Sequence, residues 1–182
     1  MAEQFQSIDK KQQEFIERQQ MFFVSTAAAD GRVNLSPKGM DSFRVLSENR
    51  IAWLNLTGSG NETAAHLLDN NRMTIMFCSF DKQPLILRLY GHAKTLHENH
   101  PQWDGLCELF PRSTGARQVY DMTVEMVQTS CGFAVPRYEF SEQRPTLERW
   151  ADKQSREDMR AYWDKKNRLS LDGQPTGIEE LL

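Results

Sequence analysis

Two cations and a glycine-rich turn are the residues of this sequence best suited to binding an anion. The turn, TGSGNET at residues 57–63, follows an apolar strand-like segment and opens a helical pattern. Amides in the first turn of a helix can bind a phosphate, and glycine lets a ligand approach the backbone. Lys38 ends an earlier strand-like segment, and Arg88 lies in the otherwise apolar stretch LILRLYG. Together they predict a phosphate site, although Arg88 also fits an outward-facing strand position.

The turn by itself is open to several interpretations. Gly58 and Gly60 nearly complete the dinucleotide fingerprint G-x-G-x-x-G, but Thr63 stands where the third glycine belongs. The chain also lacks the repeated strand–helix alternation of a doubly wound sheet. A P-loop is excluded because no Lys-Ser or Lys-Thr follows the turn. What remains is a phosphate site at a helix that starts with Asn61 and Glu62, or a tight turn without a ligand.

The histidines and cysteines form no recognisable metal or redox motif. His97 and His100 have the spacing H-x-x-H, which fits no zinc pattern, so we expect a solvated loop and no metal. The three cysteines are widely spaced and odd in number, which argues against a disulfide framework. Cys131 has no nearby paired cysteine, so we interpret it as a small residue beside a ligand or the core.

Length and charge narrow the class of protein. The chain has 182 residues and a formal charge of −3, which gives no electrostatic case for binding nucleic acid. No apolar run approaches the roughly 18 residues that a membrane span needs. The N-terminal stretch is polar and has no apolar core of a secretory signal. With the cysteine usage, these features predict a cytoplasmic protein with no membrane partner.

The anion-binding residues must be positioned by strands joined mostly by short connections. Side-chain pattern and composition predict strands at residues 21–27, 33–36, 42–46, 51–56, 72–80, 85–96 and 119–128. Helical spacing predicts helices at residues 7–20, 61–70, 101–110 and 143–167, followed by an extended tail. Short links favour antiparallel pairing, because parallel strands need long crossovers. The sequence therefore predicts a mainly β protein, an antiparallel barrel with peripheral helices.

Three blocks of sequence carry a resemblance to a known family. They are GRVNLSPKGMDSFRVL, IAWLNLTGSGNETAAHLLDNNRMTIMFCSF and LRLYGHAKTL, within residues 21–173. In type and order they resemble the pyridoxamine-5'-phosphate-oxidase-like, FMN-binding split-barrel family. The resemblance implies a six-stranded antiparallel split barrel and a homodimer with FMN at the subunit interface. It divides the chain into an N-terminal helix (1–20), an FMN-binding barrel (21–130) and a C-terminal helical extension and tail (131–182) that packs on the barrel or the partner.

The resemblance also implies which residues contact FMN. The first block would line the ring and its ribityl chain, the glycine turn would hold the phosphate, and Arg88 would turn toward it. Residues after the last barrel strand would approach the ring, and two residues of the C-terminal helix would cover it. The full set is Asn34, Ser36, Pro37, Lys38, Asn55, Leu56, Thr57, Gly58, Ser59, Gly60, Asn61, Glu62, Thr63, Arg88, Gln128, Ser130, Cys131, Trp163 and Asn167.

Two departures from the family pattern bear on the substrate. The oxidases that act on pyridoxamine phosphate carry Ser-Arg-Lys at the helix start, whereas this chain has Asn61, Glu62 and Thr63. Their C-terminal arginine-rich signature is replaced by RLSLDGQPTG. We therefore expect an FMN-dependent oxidoreductase with another small-molecule substrate, and NADH or NADPH as the candidate electron donor. The alternative is a carrier or sensor of flavin or haem without turnover, in which His66 or His92 would be the haem ligand.

Overall fold

The computed structural model describes residues 2–182, and one antiparallel sheet dominates it. Seven of its eight strands follow the order β3-β2-β6-β7-β8-β5-β4, and β1 also pairs with β8. The strands are β1 (Glu3–Phe5), β2 (Phe22–Thr26), β3 (Asn34–Lys38), β4 (Phe43–Ser47), β5 (Arg50–Leu56), β6 (Arg72–Cys78), β7 (Ile86–Leu96) and β8 (Ala116–Ser130).

The described part of the chain also forms five α-helices and one short 3-10 helix around the sheet. They are α1 (Lys10–Glu17), α2 (Glu62–Asp69), α3 (Trp103–Cys107), α4 (Thr146–Ala151), α5 (Arg156–Lys166) and the 3-10 helix (Ile178–Leu181). The helix α2 connects β5 to β6, so the glycine turn lies between a central strand and a helix start. Within residues 2–182, none of the helices has the length and apolar character needed to cross a bilayer.

The sheet is coiled, so that side chains from its two ends pack together. The ring centroids of Phe22 on β2 and Phe43 on β4 lie 4.9 Å apart, although these strands stand far apart in the hydrogen-bonded order. Trp53 on β5 stacks on Tyr120 of β8 at 4.4 Å, and both rings are buried. Burial of these large rings contributes strongly to stability, because each removes much apolar surface from water.

The long strand β7 has a β-bulge at Gly91. The register of the β7–β8 pair shifts between Tyr90 and Gly91. A Cβ at position 91 would lie 1.9 Å from the carbonyl oxygen of Thr123 on β8. Only glycine allows the two backbones to approach this closely, so the bulge depends on this residue.

The structure confirms a mainly β, antiparallel fold with peripheral helices and changes several details. The sheet has eight strands, and its hydrogen-bonded path runs from β3 to β4 without closing, so a six-stranded barrel is not confirmed. The region predicted as an N-terminal helix also contains β1, and α1 begins at Lys10 after the capping residue Asp9, rather than after Ser7. The strand β1 forms because its backbone pairs with β8. Three residues are too few for a periodic side-chain pattern to reveal a strand.

The C-terminal region contains two helices where one long helix was predicted. The helix α4 ends at Ala151, and α5 starts after Ser155, whose side chain forms a capping box with Asp158. This S-x-x-D signal satisfies the first amides of a new helix and so breaks the predicted one. The tail also ends in a 3-10 helix that buries Ile178 and Leu181, rather than being extended throughout.

Candidate functional site

A pocket of about 230 Å³ lies where β3, the end of β5, the glycine turn, the start of α2 and β8 meet. It is lined by Asn34, Ser36, Lys38, Asn55, Leu56, Gly58, Ser59, Gly60, Asn61, Glu62, Thr63, Arg117 and Tyr120. All but Arg117 and Tyr120 belong to the set predicted from the sequence. The structure therefore brings the first block and the glycine turn together at one place.

Strand β3 presents its polar residues to the pocket. Successive side chains of a strand point to opposite faces, so Asn34, Ser36 and Lys38 share the pocket side. The side-chain amide of Asn34 donates to the Thr63 hydroxyl at 3.3 Å and thereby joins β3 to the start of α2. Pro37 alternates with these residues and lines a different cavity, so it is near Lys38 in sequence without lining the pocket.

The glycine turn is held from behind by Thr57. The backbone amide and the hydroxyl of Thr57 both donate to the carbonyl of Gly115, at 2.7 and 2.9 Å. The same hydroxyl accepts a hydrogen bond of 2.9 Å from the indole N–H of Trp163 on α5. Thr57 is buried and does not line the pocket, so its role is to fix the turn to Gly115, just before β8, and to α5.

Arg117 is a pocket cation that the sequence analysis missed. Its guanidinium donates to the carbonyls of Gly58 and Gly60, at 3.4 and 3.0 Å, and to the side-chain oxygen of Asn167 at 2.8 Å. The residue is 2% exposed, its Nε has no partner, and no carboxylate pairs with it within residues 2–182. Burial lowers the pKa of Arg117 to about 10, so it remains charged at neutral pH. A buried, unpaired cation is costly unless an anion joins it.

The missed arginine had a signal in the sequence. Arg117 lies in ARQVYD, directly before the alternating stretch that was predicted to begin at Val119. The strand β8 begins at Ala116 instead, so Arg117 is a strand residue with its side chain on the pocket side. Like Arg88 in β7, Arg117 is a charged residue within a strand. A predicted strand that began three residues earlier would have included Arg117.

Trp163 and Asn167 lie behind the glycine turn and do not line the pocket. Both are buried, and the side-chain amide of Asn167 donates to the Gly58 carbonyl at 3.1 Å while its oxygen accepts from Arg117. With the bond from Trp163 to Thr57, α5 supports both the turn and the buried arginine. That these residues cover a flavin stays a prediction; within this chain they contact the glycine turn and Arg117 without lining the pocket.

Lys38 is the second cation of the pocket. Its Nζ lies 5.3 Å from the centre of the Trp53 ring, a cation–π distance, and it forms no ion pair or hydrogen bond within residues 2–182. Burial, and secondarily the charge of Arg117, lower the pKa of Lys38 to about 8. At neutral pH both cations are protonated and repel each other, which favours an anion between them.

Several buried polar groups around the pocket also lack partners. Both side-chain polar atoms of Asn61 and the side-chain nitrogen of Gln118 are buried without a hydrogen bond. Asn61 stands at the N-cap position of α2, but its side chain makes no capping hydrogen bond. Native proteins pair nearly all buried polar groups, so this concentration marks a place where a ligand or water completes the bonding.

Glu62 does not pair with either cation. Its carboxylate accepts the backbone N–H of Leu171, with distances of 2.9 and 3.1 Å to its two oxygens, and so fixes the tail to the start of α2. This engagement explains how an acidic residue can stand at a predicted anion site. Because it lines the pocket, its charge still opposes an anion bound there.

The remaining predicted residues form a separate cluster. Arg88 on β7 donates to the Ser130 hydroxyl at 3.3 Å, and it is directly opposite Gln128 in the β7–β8 register. Gln128 in turn accepts from the Tyr90 hydroxyl at 3.2 Å, and Cys131 is exposed just after β8. None of Arg88, Gln128, Ser130 and Cys131 lines the pocket. A single chain therefore does not bring them to the glycine turn.

The histidines do not gather into a metal site. Within residues 2–182 no three histidine, cysteine or acidic side chains are close enough to hold a metal ion. His66 is buried with its Nδ1 3.0 Å from the Thr26 hydroxyl, and His92 pairs with Glu125 at 2.8 Å. His97 is buried rather than solvated, and burial lowers its pKa.

Comparison with known proteins identifies the family. The family model described as pyridoxamine 5'-phosphate oxidase matches residues 8–131. The chain belongs to the pyridoxamine 5'-phosphate oxidase family. Among curated relatives, it is 36% identical to the Aspergillus flavus pyridoxamine 5'-phosphate oxidase family protein ustO, in an alignment that covers 94% of this chain and 76% of the relative.

Solved structures show the same fold at low sequence identity. HupZ from Group A Streptococcus superposes with a TM-score of 0.51 at 21% identity, covering 65% of this chain and 91% of HupZ. A Clostridium acetobutylicum protein related to general stress protein 26, of the pyridoxinephosphate oxidase family, also has a TM-score of 0.51, at 15% identity, and covers 66% of this chain and 86% of its own. The family fold thus spans most of each neighbour, while part of this chain extends beyond it.

Proposed function

We propose that this member of the pyridoxamine 5'-phosphate oxidase family binds FMN and is an FMN-dependent oxidoreductase. The observation that carries the proposal is Arg117, a buried guanidinium without a carboxylate partner at the edge of a polar pocket. A phosphate supplies the missing negative charge and can accept hydrogen bonds from several donors at once. Family membership favours FMN as the molecule that carries the phosphate.

The pocket residues can bind a phosphate, but their positive charges come from other positions than in the oxidases that act on pyridoxamine phosphate. Arg117 and Lys38 provide positive charge, and the unpaired side chain of Asn61 and the hydroxyl of Ser59 provide donors. The amides at the start of α2 add the partial positive charge of a helix N-terminus. The cation thus comes from β8, which compensates for the absence of the family's arginine and lysine at the helix start.

The volume of the pocket limits what one chain can hold. Ligand pockets of drug-sized molecules measure about 300–1,000 Å³, whereas this one measures about 230 Å³. We infer that it holds the phosphate end, and that the coiled sheet is a split barrel that forms a homodimer. The partner would then supply the cluster of Arg88, Gln128, Ser130 and Cys131 to the ring.

Bound FMN would supply the redox chemistry, since its ring accepts and donates hydride or single electrons. The chain's own part is to bind, orient and exclude water. Lys38 adds a positive charge beside the phosphate, and its lowered pKa lets that charge respond to pH. The substrate is a small molecule other than pyridoxamine phosphate, because Glu62 replaces a basic residue and the C-terminal basic signature is missing.

A haem carrier remains the second candidate. His92 lines an open cavity of about 360 Å³, and its Nδ1 is held by Glu125. Carboxylate–histidine pairs of this kind orient metal-ligating imidazoles, which favours His92 over the buried His66 as a haem ligand. An absorbance spectrum separates the two candidates, because haem gives one intense band and flavin gives two bands that bleach on reduction.

FMN titration of the purified protein tests the proposal. We expect FMN fluorescence to be quenched on binding, and we expect Arg117→Met to weaken the affinity about 10–100-fold, because a charged hydrogen-bond donor is lost. Arg112→Met is the matched control, since Arg112 is exposed five residues earlier and does not line the pocket. Circular dichroism checks that both variants fold. Absence of FMN binding in the wild-type protein would overturn the proposal.

Catalysis requires a separate measurement. With FMN bound, stopped-flow mixing with NADH and with NADPH measures whether the ring is reduced at a useful rate. Reduction by either donor supports an oxidoreductase. If FMN binds but no turnover is seen with NADH, NADPH or an artificial reductant as the electron source, the protein is a flavin carrier instead.

A further inference from the structure

A second and larger cavity adjoins the pocket at Lys38. It is an open groove of about 690 Å³ between β3 and the C-terminal segment that leads into α4. Lys38 lines both cavities, so the two cavities meet at this residue. The groove residues are Gln20, Met21, Pro37, Lys38, Gly39, Met40, Phe140, Glu142, Gln143, Arg144, Thr146, Leu147 and Trp150. Its volume falls in the range of pockets that hold a whole small molecule.

The wall of the groove is fixed in place by contacts on both sides of it. The side chain of Gln143 donates to the backbone carbonyl of Gln20 at 3.0 Å, and the Tyr138 amide donates to the Phe80 carbonyl at 3.0 Å. At the other end, Trp150 packs edge-on against Tyr162 of α5 at 5.2 Å. These contacts hold the wall in place against the rest of the chain, as a specific binding site requires.

The lining combines apolar surface with unpaired positive charge. Phe140, Leu147 and Trp150 supply aromatic and aliphatic contact area on the wall. Lys38 and Arg144 form no ion pair within residues 2–182, and Glu142 is the one carboxylate in the lining. An apolar ring system with one anionic group complements this arrangement, since the ring fills the groove and the anion pairs with a cation.

We propose that this groove is the substrate site of the oxidoreductase and that it binds a ring-bearing, apolar carboxylate or other monoanion. The inference rests on the proposed function, because Lys38 joins the groove to the pocket assigned to FMN. The wall from Phe140 to Trp150 lies outside residues 8–131, the part of the chain that matches the family. Substrate choice is thereby assigned to a segment that this chain adds to the common fold.

Calorimetric titration with 2-naphthoate tests the groove, with the neutral 2-naphthamide as the paired probe. The protein is titrated first without FMN and then with FMN present. We expect naphthoate to bind in both states and naphthamide to bind about tenfold more weakly. Binding to the FMN-free protein keeps this test separate from the proposed function, which fails only if FMN itself does not bind.

Two matched pairs of variants locate the probe. Phe140→Ala should weaken naphthoate binding about tenfold, whereas Phe133→Ala should leave it unchanged. Both phenylalanines are exposed, so neither change threatens folding, but only Phe140 lines the groove. Arg144→Gln should weaken naphthoate and leave naphthamide unchanged, and Arg149→Gln should change neither, because Arg149 does not line the groove.

The outcomes that overturn the proposal are distinct. Equal effects of Phe140→Ala and Phe133→Ala, or an unchanged affinity in both, would place the probe elsewhere. If Phe140→Ala changes the sedimentation coefficient and leaves naphthoate affinity intact, the groove is a contact between copies of the chain. If naphthoate binds but FMN does not, the groove stands as a binding site and its assignment to a flavin substrate falls.

Discussion

Lys38 and Arg117 place two positive charges beside the same small pocket. Each has a lowered pKa, in both cases chiefly because burial disfavours the charged form. In the part of the chain that the structure describes, no carboxylate pairs with either cation, and Glu62 is engaged by the Leu171 amide. Hydrogen bonds to the Gly58 and Gly60 carbonyls and to Asn167 offset part of the cost of burying Arg117, and an anion in the pocket would offset more of it.

The affinity for FMN should depend on pH through Lys38. Its pKa of about 8 rises when a phosphate pairs with it, so the complex favours the protonated amine. Binding should therefore be strongest below pH 8, and it should weaken about fivefold to tenfold between pH 7 and 9 as free Lys38 loses its proton. Arg117, with a pKa of about 10, keeps its charge in this window. Fluorescence titrations at each pH measure the slope.

The variant Lys38→Met provides the control for this slope. It should bind FMN more weakly at pH 7 and show little change in affinity up to pH 9, because the titrating group is gone. An equally steep slope in Lys38→Met would assign the pH dependence to another group and remove Lys38 from the phosphate site.

Resemblance to the family identified most of the pocket but not its principal cation. It implied Asn34, Ser36 and Lys38 together with Pro37, and alternation along β3 turns Pro37 to the other face. Arg117 was missed because its strand begins at Ala116, where local propensity gives no clear start. The separation of Arg88 from the pocket depends on the sheet order, which is a long-range property that no local pattern encodes.

Helix α5 and its C-terminal capping residue Asn167 support the glycine turn and Arg117 through hydrogen bonds, and we call this support the brace. Trp163 and Asn167 contact the turn or the guanidinium from the side away from the pocket. The sequence placed these residues on a helix near the cofactor but could not give the side, because a helical pattern shows which face is apolar and not what packs on it. Through these two residues the C-terminal extension contacts the glycine turn and Arg117, although neither Trp163 nor Asn167 lines the pocket.

Replacing Trp163 with phenylalanine should loosen this brace. The change removes the buried indole N–H bond to Thr57, and we expect unfolding free energy to fall by about 1–3 kcal/mol. FMN affinity should fall as well, since the turn is then held less firmly. Urea denaturation and FMN titration measure the two effects. Trp150→Phe is the matched control, because the indole N–H of Trp150 makes no hydrogen bond within residues 2–182, and a similar stability loss there would argue against the specific bond.

At the scale of the whole molecule, we predict that the chain self-associates through the outer face of β3. This strand stands at one end of the sheet order, and edge strands are natural points of contact between chains. Its inward face carries the pocket residues Asn34, Ser36 and Lys38, while Leu35 on the opposite face is 64% exposed. Neighbouring Val33 is 69% exposed, so the two form an apolar patch directly behind the pocket wall.

If a partner chain covers this patch, disrupting it should affect assembly and cofactor binding together. We expect the wild-type protein to sediment at about twice the 21.1 kDa mass of the chain, and Leu35→Glu to shift it toward the monomer, because a charge buried in an apolar contact is costly. FMN affinity should fall in the same variant, since the partner's contribution to the ring is lost. Leu68→Glu is the matched control, as Leu68 is similarly exposed, at 61%, but lies on α2. A Leu35→Glu protein that stays dimeric would place the interface on another face, and one that becomes monomeric with full FMN affinity would show that a single chain completes the site.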